Sequence, residues 1–165
     1  AARRKLGDRL VRTYCVGKGV AVAFNPVPVA DLFAAAFIDV GMVMHLSKVY
    51  GLPLSQKEAG SLVRVIVVEA AALMGTVWAL HVVSSALKVG TLGLSTILTG
   101  GAQGAIAYYS TYVVGNVAGE YLSQGKSWGT GGPKKVVAEI LESLDQETVL
   151  QDARREIKRR LGLAK

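Results

Sequence analysis

Apolar residues recur at three- and four-residue intervals along most of the chain, which is the spacing of helices rather than of strands. Leu6, Leu10 and Tyr14 follow one another at four-residue spacing, with basic side chains between them. This pattern predicts an amphipathic helix at the start of the chain, of the kind that lies on a surface.

Several residues mark where helices end and begin. The run Asn25-Pro26-Val27-Pro28 predicts a turn, because each proline disfavours helix in the residue before it and has no N–H to donate. A mostly apolar helix is predicted over 29–50, ended by Gly51-Leu52-Pro53. Ser55 and Glu58 then form a capping box, so the next helix begins there and continues to about residue 87.

The most apolar stretch of the chain covers residues 89–119 and contains no Lys, Arg, Asp, Glu or His. A helix needs about twenty apolar residues to cross a bilayer core of roughly 30 Å, and buried helices of soluble domains rarely stay uncharged for so long. We therefore expect a membrane-embedded helix, with a tightly packed helix inside a soluble bundle as the alternative. Small residues that let another backbone approach recur along it: Gly100, Gly104, Gly115 and Gly119.

The preceding helix has a stripe of small residues of its own, which includes Gly75. Two such stripes separated by a short connection at 88–91 predict an antiparallel hairpin, in which helices 64–87 and 92–122 pack face to face. Two crossings return both ends of the chain to one side of the membrane, and a third crossing stays open if 29–50 also spans. The predicted fold class is therefore all-α, a membrane-associated helical bundle around an antiparallel apolar hairpin with amphipathic terminal helices.

The pattern divides the chain into four segments. They are a basic amphipathic N-terminal segment (1–24), an apolar helical core (25–124), a Gly-rich linker (125–133) and two amphipathic, basic C-terminal helices (134–165). Asp145 is placed to cap the second of these helices.

Composition and charge favour a membrane partner. Hydrophobic residues make up 51% of the chain and charged residues 19%, and mean hydropathy is +0.37. The net charge of +7 is concentrated at the two ends, so we expect both termini on the cytoplasmic or stromal side, facing anionic headgroups. The residues predicted to meet the membrane surface are Arg3, Arg4, Arg159 and Arg160. Nucleic acid is not expected as a partner, because neither interleaved aromatics nor a recognisable binding module is present.

No catalytic residue, cofactor or metal ligand is predicted. Gly125-Lys126-Ser127 has the end of a phosphate-binding loop, but the upstream glycine is one residue too far away, at Gly119. The Glu-x-x-His repeats of di-metal bundles and the nucleophile elbow of serine hydrolases do not occur.

Titratable groups in the apolar part are predicted to be buried polar ties, because a charge inside a bundle must be paired or neutralised. We expect the carboxylates to face the arginine and the histidines across the bundle. The residues concerned are Asp39, Arg64, Glu69 and His81, together with His45.

Two runs carry a family resemblance: FNPVPVADLFAAAFIDVGMVMHLSKVYG over 24–51 and LSTILTGGAQGAIAYYSTYVVGNVAGEYLSQGKSWG over 94–129. They resemble the YcjF-like domain of unknown function that follows the G domain in membrane-associated GTPases of bacteria, especially cyanobacteria, and of plastids. The resemblance implies a membrane-anchoring helical module tied to a GTPase. Because nucleotide-binding motifs are absent from this sequence, it implies no GTPase activity here; a G domain lies upstream, or the module is an accessory protein.

The function expected from the sequence is thus a non-enzymatic membrane-anchoring and helix-packing module. It is either the membrane domain of a larger GTPase or an accessory subunit of a membrane complex, in a cyanobacterial inner or thylakoid membrane or a plastid membrane. Expected partners are the bilayer, other membrane helices or a second copy, and an upstream G domain. The alternatives are a soluble helical scaffold or regulator that docks on a protein, and an enzyme or carrier that uses the buried titratable groups.

Overall fold

The structure is a computed structural model that describes residues 2–24, 32–70, 72–73 and 96–160. Its helices are α1 (Ala2–Phe24), α2 (Leu32–Val49), α3 (56–70, with 72–73 also helical), α4 (Thr96–Ser123), α5 (Gly132–Ser143) and α6 (Gln146–Arg160). The described residues contain no strand, so the all-α prediction is confirmed.

Helix α4 lies at the centre of the bundle and packs against α1, α2, α5 and α6. Its second half is buried on nearly every side, with Tyr108, Thr111, Val114 and Val117 all within the core. A helix that is apolar all round is one that other helices enclose. The lack of charge over 105–119 therefore has an explanation inside the described bundle.

The sequence predicts an amphipathic helix at the start of the chain; α1 exposes its basic residues there and packs its other side into the core. Its main neighbour is α4, and Val11 and Cys15 are fully enclosed between them and the rest of the bundle. The two helices come close because α4 presents Gly115 to Val11: a Cβ built on this glycine would lie 2.6 Å from Cγ2 of Val11. The glycine thus serves helix packing, and the residue it meets within the described part of the chain is Val11 of α1.

The end of α2 and the start of α3 follow the sequence signals. Gly51 has a φ of +70°, its N–H donates to the carbonyl of Lys48, and the next N–H donates to the carbonyl of Ser47, which together close the helix in a Schellman motif. Ser55 caps α3 by accepting a hydrogen bond from the N–H of Glu58 at 3.1 Å. Both predicted boundaries are confirmed.

The run Gly125-Lys126-Ser127 lies in the turn that closes the C-terminal end of α4. Gly125 has a φ of +72°, its N–H donates to the carbonyl of Leu122, and the N–H of Lys126 donates to the carbonyl of Tyr121. This is again a helix C-terminus closed by a left-handed glycine. A phosphate-binding loop opens a helix instead.

The C-terminal helices form as the sequence predicts. Helix α5 buries Val136 and Val137, and α6 buries Ala153 and Ile157 against α4 and α1. Asp145 caps α6: it accepts hydrogen bonds from the N–H of Glu147 at 3.2 Å and from the hydroxyl of Thr148 at 2.8 Å.

Parts of the predicted membrane hairpin lie outside the described residues. These parts are residues 74–87 of the first hairpin helix, which include Gly75 and His81, the connection at 88–91 and residues 92–95 of the second helix. The predicted turn at 25–28, which precedes the hairpin, also lies outside the described residues. Within the described ranges, no helix has both the length and the hydropathy needed to cross a bilayer.

Candidate functional site

A buried ion pair joins three helices. The ammonium of Lys18 on α1 donates to both carboxylate oxygens of Asp39 on α2, at 3.0 Å each. The hydroxyl of Thr111 on α4 donates to Oδ1 of the same carboxylate at 2.8 Å. Lys18 and Asp39 are each 5% exposed and Thr111 is fully buried, so these bonds form away from water.

Burial makes this cluster a structural element. Removing a lysine and an aspartate from water costs several kcal/mol per ion, which the pair recovers only when its hydrogen bonds are well formed. Here one carboxylate takes three short bonds from two helices, and losing any partner would leave a charge or hydroxyl unsatisfied. We expect the cluster to fix how α1, α2 and α4 lie against each other.

Of the residues predicted to be buried polar ties, only some are buried in the structure. Asp39 is buried as expected, but its partner is Lys18; Arg64 is exposed on α3 and Glu69 is half-buried. His45 is exposed too, with its Nδ1 3.4 Å from the hydroxyl of Tyr14. Asp39 thus pairs with a different cation from the predicted Arg64, because α3 turns Arg64 to the outside.

The available signal for Lys18 was its position as the single charge in the apolar run 16–24. A lysine within such a run needs an anion, and Asp39 is one of two acids in the next helical segment. Spacing along the chain does not reveal which one faces it, since the contact joins two helices.

Other polar groups near this cluster are held in their neutral form. Burial, and next the charge of Asp39, raise the pKa of the Cys15 thiol above its ordinary value. Burial, and next the neighbouring Cys15, raise the pKa of Tyr108 to about 12. A protonated, enclosed thiol is a poor nucleophile, so this part of the core offers packing rather than chemistry. The described residues bring together no group of His, Cys, Asp and Glu that could hold a metal.

A cavity of about 260 Å³ lies where α1 begins and α4 ends. Arg4 crosses its mouth to Glu120 at 3.1 Å, and Asn116 in its wall donates to the carbonyl of Tyr112 at 2.7 Å. The other lining residues are Gly7, Asp8, Val11, Leu46, Tyr50, Gly115, Gly119 and Ile140.

The arginines predicted to meet the membrane surface are placed unequally. Arg3 donates to the carbonyl of Tyr50 at the end of α2, and Arg4 is paired with Glu120. Both therefore hold the start of α1 against the bundle. On α6, Arg159 lies 3.3 Å from Glu156, and Arg160 is exposed.

Of the predicted packing glycines, Gly115 and Gly119 have described surroundings. Gly115 receives Val11, and a Cβ on Gly119 would lie 3.8 Å from the hydroxyl of Tyr50. Gly100 and Gly104 lie within α4, but their packing is outside what the structure describes.

Helix α3 exposes several large apolar side chains, which the sequence analysis does not predict. Its inner side is buried at Leu62, Val63 and Ile66. Elsewhere around the helix, and beyond its buried part at Leu73, four large apolar side chains are exposed: Val65 at 36%, Val67 at 48%, Val68 at 57% and Leu73 at 39%, beside the exposed polar residues Lys57, Ser61 and Arg64. Apolar side chains exposed near one another on a surface helix are a typical feature of surfaces that bind an apolar partner. We call these four side chains the α3 apolar face.

Comparison with known families gives one match. The model of a family described as "Domain of unknown function (DUF697)" matches residues 1–146. No curated protein and no solved structure matches the chain. The family match agrees with the resemblance noted above at the level of a domain of unknown function.

Proposed function

We propose that the chain, which belongs to the DUF697 family of domains of unknown function, is a non-enzymatic membrane-anchoring and helix-packing module. Family membership assigns no activity, so the proposal is argued from the surface of the protein. The single observation that carries the proposal is the α3 apolar face. A module of this kind needs a large apolar surface that its own core leaves uncovered.

The energy available from this face is substantial. Burying a valine or leucine completely is worth about 1.5–3 kcal/mol, so a half-exposed side chain gains roughly 1 kcal/mol on entering hydrocarbon. The α3 apolar face holds four such side chains. Together they would give a partition free energy comparable to that of a short acyl chain.

The sequence that follows extends the same character. From Ala70 to Leu87, His81 is the only titratable residue, and the uncharged stretch 89–119 comes next. Along the sequence, the α3 apolar face is therefore followed by the most apolar part of the chain, of which the portion from 105 onward is enclosed by the bundle. The bilayer is the partner that accepts such a surface, and membrane helices or a second copy would meet it along the small residues.

The distribution of charge and the family resemblance support a more specific proposal for the membrane, the side on which the termini lie and the partner. Basic residues cluster at both ends, which supports termini on the cytoplasmic or stromal side of a cyanobacterial inner or thylakoid membrane or a plastid membrane. The module would serve a GTPase, as its membrane domain or as an accessory subunit, since the YcjF-like domains that it resembles accompany G domains.

Membrane fractionation tests the proposal. Membranes from cells expressing the chain are extracted with alkaline carbonate, and we expect the protein in the pellet. The variant V65Q/V67Q/V68Q/L73Q should move to the supernatant, with a membrane-to-soluble ratio lower by about tenfold or more, because ~1.4 kcal/mol corresponds to tenfold. The matched control K57Q/R64Q changes exposed residues of the same helix and should stay in the pellet.

Circular dichroism shows whether a change in membrane binding is caused by loss of folding. The four-residue variant should retain the helix content of the wild type, because the substituted side chains lie outside the core. Release of the wild type by carbonate would overturn the proposal. Retention of the four-residue variant at the level of K57Q/R64Q would overturn the role of the α3 apolar face.

A soluble scaffold that docks on a protein is the second candidate. The observation that favours it is the enclosure of the second half of α4 by other helices of the chain, two of which, α1 and α6, have charged outer faces. In that case the wild type would appear in the supernatant, and the same four substitutions would abolish co-purification of a stoichiometric protein partner.

A further inference from the structure

Helix α1 presents a row of positive charge to solvent. Lys5, Arg9 and Arg12 are exposed and stand at four- and three-residue spacing, which places them on one side of the helix. We call these three residues the basic stripe. Leu6 lies at the edge of this stripe and is 54% exposed.

The basic stripe is free to bind, unlike the arginines that precede it. Arg3 and Arg4 are occupied by the carbonyl of Tyr50 and by Glu120. The side chains of the basic stripe form no hydrogen bond or ion pair with any residue that the structure describes. Asp8, the only acid in α1, is exposed and lies beside the stripe, three residues after Lys5 and four before Arg12, and it also lines the cavity next to α4.

The backbone that carries the stripe is packed against the bundle. The opposite side of α1 is held by Val11 against Gly115 and by Lys18 against Asp39. At 1.5 Å per residue, the three charges extend over about 10 Å. A fixed row of this length suits a flat array of negative charges rather than a single small anion.

We infer that the basic stripe, with Leu6 inserted between headgroups, is the surface of α1 that binds anionic phospholipids. The inference rests on the proposed function and adds an orientation to it: α1 would lie along the membrane surface. Three cations around an exposed leucine give the layered arrangement of an interfacial helix. A nucleic-acid site of this size would expose aromatic side chains for stacking, and the basic stripe has none.

Vesicle flotation tests this inference with the full chain. The protein is mixed with vesicles of phosphatidylcholine, or of phosphatidylcholine mixed equally with phosphatidylglycerol. Binding should be stronger to the anionic vesicles, and K5Q/R9Q/R12Q should reduce that advantage by roughly tenfold to a hundredfold. R154Q/R155Q/K158Q on α6 removes the same number of charges and should leave most of the advantage in place. R3Q/R4Q should do so as well.

Two further measurements separate the alternatives. L6S should weaken binding to anionic vesicles yet leave binding to a single-stranded oligonucleotide unchanged; an oligonucleotide bound more tightly than the vesicles would overturn the inference. Binding to pure phosphatidylcholine reports the proposed function instead. Two results would overturn this inference and leave the proposed function standing, provided that binding to phosphatidylcholine persists. One is that anionic vesicles are bound no more strongly than neutral ones; the other is that the preference for anionic vesicles is the same in K5Q/R9Q/R12Q and in the α6 variant.

Discussion

The ammonium of Lys18 lies 3.0 Å from both carboxylate oxygens of Asp39, and this buried pair connects two helices that are separated along the chain by a segment with two prolines. Breaking it should be costly. Because the remaining charge would be buried without a partner, D39A and K18M should each lower the free energy of unfolding by about 3–5 kcal/mol. Urea titration followed by circular dichroism measures this.

A double variant provides the control for the ion pair. K18M/D39L replaces both charges by apolar groups, so it should recover most of the stability that either single variant loses. T111V, which removes only the hydroxyl donor, should cost about 1–3 kcal/mol. Single variants that unfold at the same urea concentration as the wild type would show that the pair contributes nothing to the fold.

Close packing of α1 on α4 makes a second prediction. Gly115→Ala would bring its Cβ against Val11, so we expect a loss of about 1–3 kcal/mol, partly restored by V11A in the same chain. Gly17 on α1 has open space around it, and Gly17→Ala should raise stability by up to about 1 kcal/mol through helix propensity. Equal effects of the two substitutions would contradict this account of the contact.

The cap of α6 gives a pH dependence. Hydrogen bonds from Thr148, and less strongly from the N–H of Glu147, lower the pKa of Asp145 below its ordinary value of 3.8. A carboxyl with a depressed pKa in the folded state contributes its full stability above 3.8 and loses it as the pH falls through the folded value. The melting temperature should therefore drop less between pH 5 and pH 2 in D145A than in the wild type. Parallel curves for the two proteins would rule out a contribution from this cap.

The buried thiol gives a fourth prediction. Because burial raises the pKa of Cys15 and encloses its Sγ, a disulfide reagent at pH 8 should react with the native protein very slowly and with the urea-unfolded protein at once. D39A should accelerate the native reaction by loosening the core around the thiol. Rapid labelling of the native wild type would mean that α1 separates readily from the bundle.

The sequence predicts the local features of this fold well. Ser55 and Asp145 cap their helices, and Gly51 ends α2, because these signals act within a few residues of where they stand. The helical spacing of apolar residues likewise predicts all-α structure, since a periodicity of 3.6 residues reflects burial of one face.

Contacts between segments that are distant along the chain cannot be predicted from the sequence pattern. The pairing of Lys18 with Asp39 and the bond from Arg3 to Tyr50 depend on how helices are placed relative to one another. The same limit applies to α1: its basic residues are visible in the pattern, while the space that Gly115 leaves for Val11 is not.

A lipid-facing position for the α3 apolar face is the central claim, and a fluorescent probe on Val68 tests it most directly. In a C15A background, V68C carries an environment-sensitive fluorophore, and K57C on the same helix is the control. In membranes containing nitroxide-labelled lipids, we predict strong quenching at position 68 and little at position 57. Equal, weak quenching at both positions would contradict the claim.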